Sequence, residues 1–222
     1  MAIYAHITGW GMAVPERVLT NFELSQMVDT SDECIRTRTG ISERHIAGAN
    51  QSTATLAVEA AIKALPVANL APDQVELIIV ASATPEHIFP ATACLVQDQI
   101  GALKAGAFDL SAACSGFIYA LNMAAQAIRS GSLNNALVIG SETLSKFTDW
   151  EDRNTCVLFG DGSGAFVLQS TDSGRSRIGH LEQLHATMGQ LVNVKTIIDS
   201  LAVGTFGGVW IPQGEGHTIC QR

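Results

Sequence analysis

Short apolar runs alternate with apolar stripes at helical spacing along residues 1–170 of this chain. Ile3 to Gly9 reads as a strand, and Asn21 to Val28 as a short helix with Asn21 as its cap. Ser52 to Ala64 is an Ala-rich helix, with Leu56, Ala57, Ala60, Ala61 and Ala64 available for close packing. Glu76 to Ala83, centred on Leu77, Ile78, Ile79 and Val80, is a continuous apolar run of the kind a parallel strand buried on both faces requires. Thr92 to Ile100 reads as helix, Ala107 to Leu110 as strand, Ser115 to Ser130 as helix and Asn135 to Gly140 as another buried strand. Cys156 to Phe159 is expected to pair with Ala165 to Gln169 across a tight turn at Gly160 to Gly164, where glycine supplies positive φ. That glycine-rich stretch lacks the Lys-Ser/Thr of a phosphate loop.

Strands alternating with helices predict an α/β fold, a mostly parallel mixed sheet with helices on both faces. The character changes at about Thr171. Thr171 to Arg177 is rich in turn formers and charge and reads as a linker; weak periodic pieces follow over Gly189 to Ala202, then a glycine-rich end. The expected division is 1–170 as one α/β unit and 171–222 as a divergent or incomplete segment.

Composition narrows the partners. The 222 residues are 47% hydrophobic and 15% charged, so a well-buried core is expected. The net charge of −8 argues against nucleic acid or an anionic membrane as the main partner. An acidic ligand needs a local basic patch, which Arg36, Arg38, Arg44 and Lys63 are placed to supply. No run approaches the roughly 18 apolar residues of a membrane span, and no secretory signal is visible. Five cysteines without C-x-x-C spacing speak against zinc or a disulfide framework and for a reducing cytoplasm.

Chemistry concentrates at Cys114. The apolar run ending at Leu110 turns through Ser111, Ala112 and Ala113 into a helical stripe of Phe117, Ile118, Leu121, Ala124, Ala125 and Ile128. One thiol then stands at a helix mouth, where unpaired N–H groups and the dipole favour thiolate, and small neighbours leave room for a reacting group. A buried thiol acting as a small hydrophobe is the alternative on local features alone. His6, His45 and His87 show no ligand spacing, and no cue pairs Cys114 with a His and Asp as a cysteine hydrolase would.

Asp109 to Leu121 (DLSAACSGFIYAL) resembles the active-site segment of the β-ketoacyl-[acyl-carrier-protein] synthase III family, the initiating condensing enzymes of bacterial fatty-acid synthesis. Thr30 to Ile46 resembles the coenzyme A-binding region of that family, and Asp149 to Gly164 its hairpin after the first long helix. The match runs nearly collinearly from Ile3 to about Ser170. The resemblance implies a thiolase-like fold, of which this chain holds the N-terminal βαβαβαββ half. Half of such a fold is expected to leave apolar surface uncovered.

The resemblance also implies roles. Cys114 is the acyl-accepting nucleophile, and Arg38 and Arg153 bind coenzyme A. Phe89, Leu144 and Phe159 line the substrate pocket, Phe89 by reaching across a homodimer interface. Acyl-CoA and malonyl-acyl carrier protein are the implied substrates, with no separate cofactor. For Arg38 and Arg153 a solvated surface role, and for Phe89 core packing, stay open. Cys34 stands where the family usually has a Trp that stacks on adenine, a loss of about 1–2 kcal/mol of affinity on stacking magnitudes. The family's Pro-His-Gln-Ala-Asn and Gly-Asn-Thr-Ser motifs are absent: His180, His185, His217 and Asn193 lack that context. Condensation is therefore expected to be impaired, the alternative being a non-catalytic fragment or a module that pairs with a full-length relative.

Overall fold

The computed structural model describes residues 3–171; the linker and later pieces expected from 172 onward lie outside them. Within these residues seven strands and five α-helices follow one another: β1 (Tyr4–Ala13), β2 (Val18–Thr20), α1 (Asn21–Leu24), α2 (Asp32–Thr39), β3 (Glu43–His45), α3 (Thr53–Val67), β4 (Leu77–Ala81), α4 (Thr92–Ile100), β5 (Gly106–Leu110), α5 (Gly116–Arg129), β6 (Asn135–Thr143) and β7 (Asp161–Thr171). β2 and β3 form a separate antiparallel pair. Without that pair and its helices, the order is β1-α3-β4-α4-β5-α5-β6-β7, the expected βαβαβαββ.

The main sheet is ordered β1-β7-β6-β4-β5. It is mixed: β4 lies parallel to both β5 and β6, whereas β7 runs antiparallel to β6 and β1. The steps β1 to β4 and β4 to β5 move across the sheet in one direction, and β5 to β6 moves back. Right-handed crossovers then put α3 and α4 on one face and α5 on the other. Alternation along β4 serves both: Ile78 and Val80 pack with Leu56, Ala60, Ala64 and Val96, while Ile79 and Ala81 pack with Phe117, Ala120, Leu121 and Ile128. A third cluster lies under β2 and β3, where Leu19, Leu24, Ile35, Ile46, Cys156 and Val157 are buried together.

Three sequence expectations change. The cap of α1 is Thr20, not Asn21: Thr20 and Glu23 form a reciprocal capping box, and Asn21 is a buried residue of the helix. That helix also ends at Leu24 instead of Val28. The expected hairpin does not form. Cys156 to Phe159 is not strand, and Asp161 to Gly164 is the start of β7, where Asp161, Gly162, Ser163 and Gly164 pair with Thr143, Glu142, Ser141 and Gly140. None of these glycines has a positive φ.

Candidate active site

The parallel strands β4, β5 and β6 end at one edge of the sheet, and β7, the antiparallel partner of β6, begins there, with Thr143 opposite Asp161. β1 ends there too, with Ala13 opposite Ser163. Open α/β sheets present ligands at this carboxyl edge. Cys114 follows β5, Phe89 lies in the loop after β4, Leu144 follows β6 and Phe159 precedes β7. The chain thus brings four of the six candidates to a single edge.

Cys114 is presented by a bent segment. Ser82 N–H, just past β4, still bonds Leu110 O at 3.3 Å. Ala113 then adopts φ +45°, a left-handed conformation an L-alanine adopts at some energetic cost. A short 3-10 turn, Ala113–Ser115, runs directly into α5. Gly116 locks the start of α5 to the sheet: a Cβ there would stand 3.4 Å from Ala81 Cβ and 3.6 Å from Leu110 Cδ2. Cys114 is a half-buried free thiol, and no described side chain hydrogen-bonds it. Cys156, by contrast, is fully buried, and burial pushes its thiol up, with nearby Asp152 adding to the shift. It is a core thiol.

The carboxylates around this edge are structural anchors. Asp109 accepts the N–H groups of Thr92 and Ala93, both at 2.7 Å, and so caps α4. Glu86 accepts Ala54 N–H at the first turn of α3. Glu142, 2% exposed, accepts Thr84 Oγ1–H at 2.6 Å, Ala83 N–H at 2.8 Å and Ser82 Oγ–H at 3.4 Å. His45 Nδ1 lies 2.6 Å from Pro15 O, and His87 is exposed in the β4–α4 loop. A cysteine–histidine–carboxylate arrangement is therefore not built among the described residues.

Burial pushes the Glu142 carboxyl above its ordinary value, although the bonds from Thr84, Ala83 and Ser82 oppose the shift. The folded protein then holds this proton more tightly than the unfolded chain. Its stabilising contribution is full below the unfolded pKa and is lost as pH rises through the folded one. The melting temperature of the parent relative to Glu142→Gln should fall over that interval and level off above it. A difference that does not change with pH would contradict this.

Phe89 is 89% exposed and Ile88 entirely so, which removes core packing as the role of Phe89. Leu144 and Phe159 are half-buried. Arg38 is exposed on α2. Arg153 holds Asp29, with Nη1 donating to Asp29 Oδ2 at 3.0 Å and to Asp29 O at 3.1 Å. The basic patch loses one member: Arg44 is 1% exposed, its guanidinium turned into the third cluster. The alternation Arg44, Ile46 contained the signal, since both occupy the inward positions of an extended segment. Asp161 is a further anchor, one that the glycine-rich stretch around it conceals in the sequence. Its carboxylate accepts Ala47 N–H at 2.6 Å, Ser145 N–H at 2.8 Å and the Ser145 hydroxyl, tying the β3–α3 connection to the carboxyl edge.

A mixed sheet sandwiched by helices, with a cysteine at the mouth of α5, defines a thiolase-like half-fold. Over its matched residues the chain is similar to the β-ketoacyl-[acyl-carrier-protein] synthase III family. The family model for 3-oxoacyl-[acyl-carrier-protein] synthase III matches residues 108–186. The β-ketoacyl-[acyl-carrier-protein] synthase III of Desulfitobacterium hafniense is 53% identical over 188 residues, 85% of this chain and 57% of that protein. That of Caldanaerobacter subterraneus is 56% identical over 177 residues, 80% of this chain and 54% of that protein. The crystal structure of the Aquifex aeolicus synthase III superposes with a TM-score of 0.75 at 55% identity, covering 76% of this chain and 55% of that one. The priming β-ketosynthase of the R1128 polyketide pathway gives 0.75 at 36% identity, covering 78% and 52%. The chain thus spans a little over half the length of the curated relatives it matches. Among the described residues no helix is long and apolar enough to cross a membrane.

Proposed function

We propose that this chain carries the acyl-loading half of the initiating condensation of fatty-acid synthesis. The Cys114 thiolate attacks the carbonyl of a short acyl-CoA; the new C–S bond forms as the bond to coenzyme A breaks, and coenzyme A leaves with the proton. In the full reaction malonyl-acyl carrier protein loses CO2, and its carbanion attacks the acyl-cysteine. A C–C bond forms and the cysteine leaves as thiolate. Coenzyme A is here part of a substrate, and no separate cofactor is invoked. A reducing cytoplasm suits a reaction that needs the free thiol.

The half-buried Cys114 without a side-chain partner, set on a strained turn at the carboxyl edge, carries this reading. Its backbone N–H is the one oxyanion donor we assign. Phe89, Leu144 and Phe159 are the proposed acyl-pocket walls, with Arg38 and Arg153 as coenzyme A ligands. The enolate-stabilising His and Asn motifs are missing from the sequence, and each such donor is worth about 2.7–4 kcal/mol. Loading from acetyl-CoA should therefore outpace formation of ketoacyl carrier protein by about a hundredfold or more in single-turnover assays. Equal rates for both steps would overturn the impairment.

One observation favours an interaction role beside it. α5 buries Phe117, Ala120, Leu121, Ala124 and Ile128 on the sheet, yet Ile118, Tyr119 and Met123 on its other side are 45–55% exposed. They share that outer side with the exposed Asn122, Gln126 and Arg129, and large apolar side chains clustered there call for cover. The purified chain should run above its monomer mass in light scattering, as a self-pair or with a relative; a monodisperse monomer would contradict this.

A further inference from the structure

Arg44 is a cation sealed in a small core, with no carboxylate of the described residues on its guanidinium. Its Nη1 donates to Leu19 O at 3.2 Å, and its Nη2 to Asn21 Oδ1 at 2.8 Å and to Val157 O at 3.2 Å. Its Nε has no partner among the described residues. Burial lowers its pKa from the usual arginine value. A charge buried against neutral oxygens is a costly way to fill space, and an apolar residue of similar volume would hold such a core at least as well. What the guanidinium adds is reach: a planar fork whose donors meet two stretches of chain, residues 19–21 and Val157.

Those two stretches are informative. Leu19 lies in β2. Asn21 passes the link onward, its Nδ2 donating to Asp32 Oδ1 at 2.9 Å and to Ile41 O at 2.8 Å. Asp32 opens α2, the helix that carries Arg38. Val157 belongs to the segment that carries Arg153, which is tied in turn to Asp29 in the connection before α2. The two proposed coenzyme A arginines thus stand on separate pieces of chain, and both pieces are fastened to one buried guanidinium.

We propose that Arg44 is a positioning residue that sets the spacing of the Arg38 and Arg153 segments, and so governs affinity for the nucleotide end of the thioester without acting at Cys114. The inference rests on the proposed acyl-CoA reading, and its test separates the two. Arg44→Met and Arg44→Lys are made in the full chain. Coenzyme A binding is measured by calorimetry, and loading of Cys114 is followed with acetyl-CoA and with acetyl-N-acetylcysteamine, a thioester that lacks the nucleotide.

Arg44→Met should bind coenzyme A about tenfold or more weakly, the scale of one displaced charge-assisted contact. Its half-saturating acetyl-CoA concentration should rise by the same factor, with the saturating loading rate and the acetyl-N-acetylcysteamine rate within about twofold of the parent. Arg44→Lys, with one point charge for three acceptors, should fall between. Unchanged coenzyme A affinity overturns the proposal. Equal loss of loading from both thioesters also overturns it, because Arg44 is then a determinant of folding alone. A parent that binds coenzyme A but is acylated by neither thioester overturns the acyl-loading reading, while weaker binding by Arg44→Met still upholds the positioning role. A parent without affinity for coenzyme A overturns both.

Discussion

Gly11→Val should be the most damaging single substitution in the sheet, lowering stability by about 3 kcal/mol or more, with a matching drop in urea midpoint. A Cβ on Gly11 would stand 2.3 Å from Ala60 O, 2.6 Å from Ala64 N and 2.9 Å from Lys63 Cβ, and one on Gly9 2.5 Å from Ala64 O. The obstacles are mostly backbone atoms of α3, which no rotamer change removes. α3 must lift off β1, and the cluster of Leu56, Ala60, Ala64, Val80 and Val167 beneath it opens. Gly48→Ala is the control, because a Cβ there meets only Gln51 Oε1 at 3.7 Å. It should shift stability by no more than about 0.5 kcal/mol. Equal midpoints for the two variants would refute the close contact of β1 with α3.

Cys114→Ser should fold as the parent does and take up no label from radiolabelled acetyl-CoA. Sulfur and hydroxyl differ little in size, so the 3-10 turn and α5 keep their packing. The nucleophile changes completely. A thiolate is an intrinsically strong nucleophile, whereas a serine hydroxyl needs an adjacent base. Asp109, Glu86 and Glu142 are committed to backbone and hydroxyl donors elsewhere, so none is placed to serve as that base. Substantial label on the serine variant would mean that acylation lies at another residue.

Much of the fold was legible wherever apolar periodicity coincided with capping chemistry. Ser52 begins α3 as its cap, bonded to Thr55 N–H at 3.2 Å, and the apolar run of β4 is buried on both faces as its composition demands. Reading failed where polar residues are buried. β6 continues through Ser141, Glu142 and Thr143, all nearly sealed, because their side chains bond Thr53, Thr84 and neighbouring loops instead of water. β7 begins at Asp161 for the same reason. Nothing in a Gly-Asp-Gly-Ser-Gly string alone reveals that a partner strand waits opposite. The site divides similarly. The small residues around Cys114 are legible in the sequence, and the exposure of Phe89 in the loop after β4 is not. The work of Arg44 depends on Asn21 and Val157, 23 and 113 positions away, and local pattern does not report such distances.

The most direct test is the intact mass of the 222-residue chain before and after incubation with acetyl-CoA, followed by peptide mapping. The account predicts a gain of one acetyl group, confined to the peptide containing Cys114 and discharged by hydroxylamine as a thioester is. No gain, or an acetyl group on Cys94, Cys156 or a lysine, would contradict the assignment of Cys114 as the loaded nucleophile.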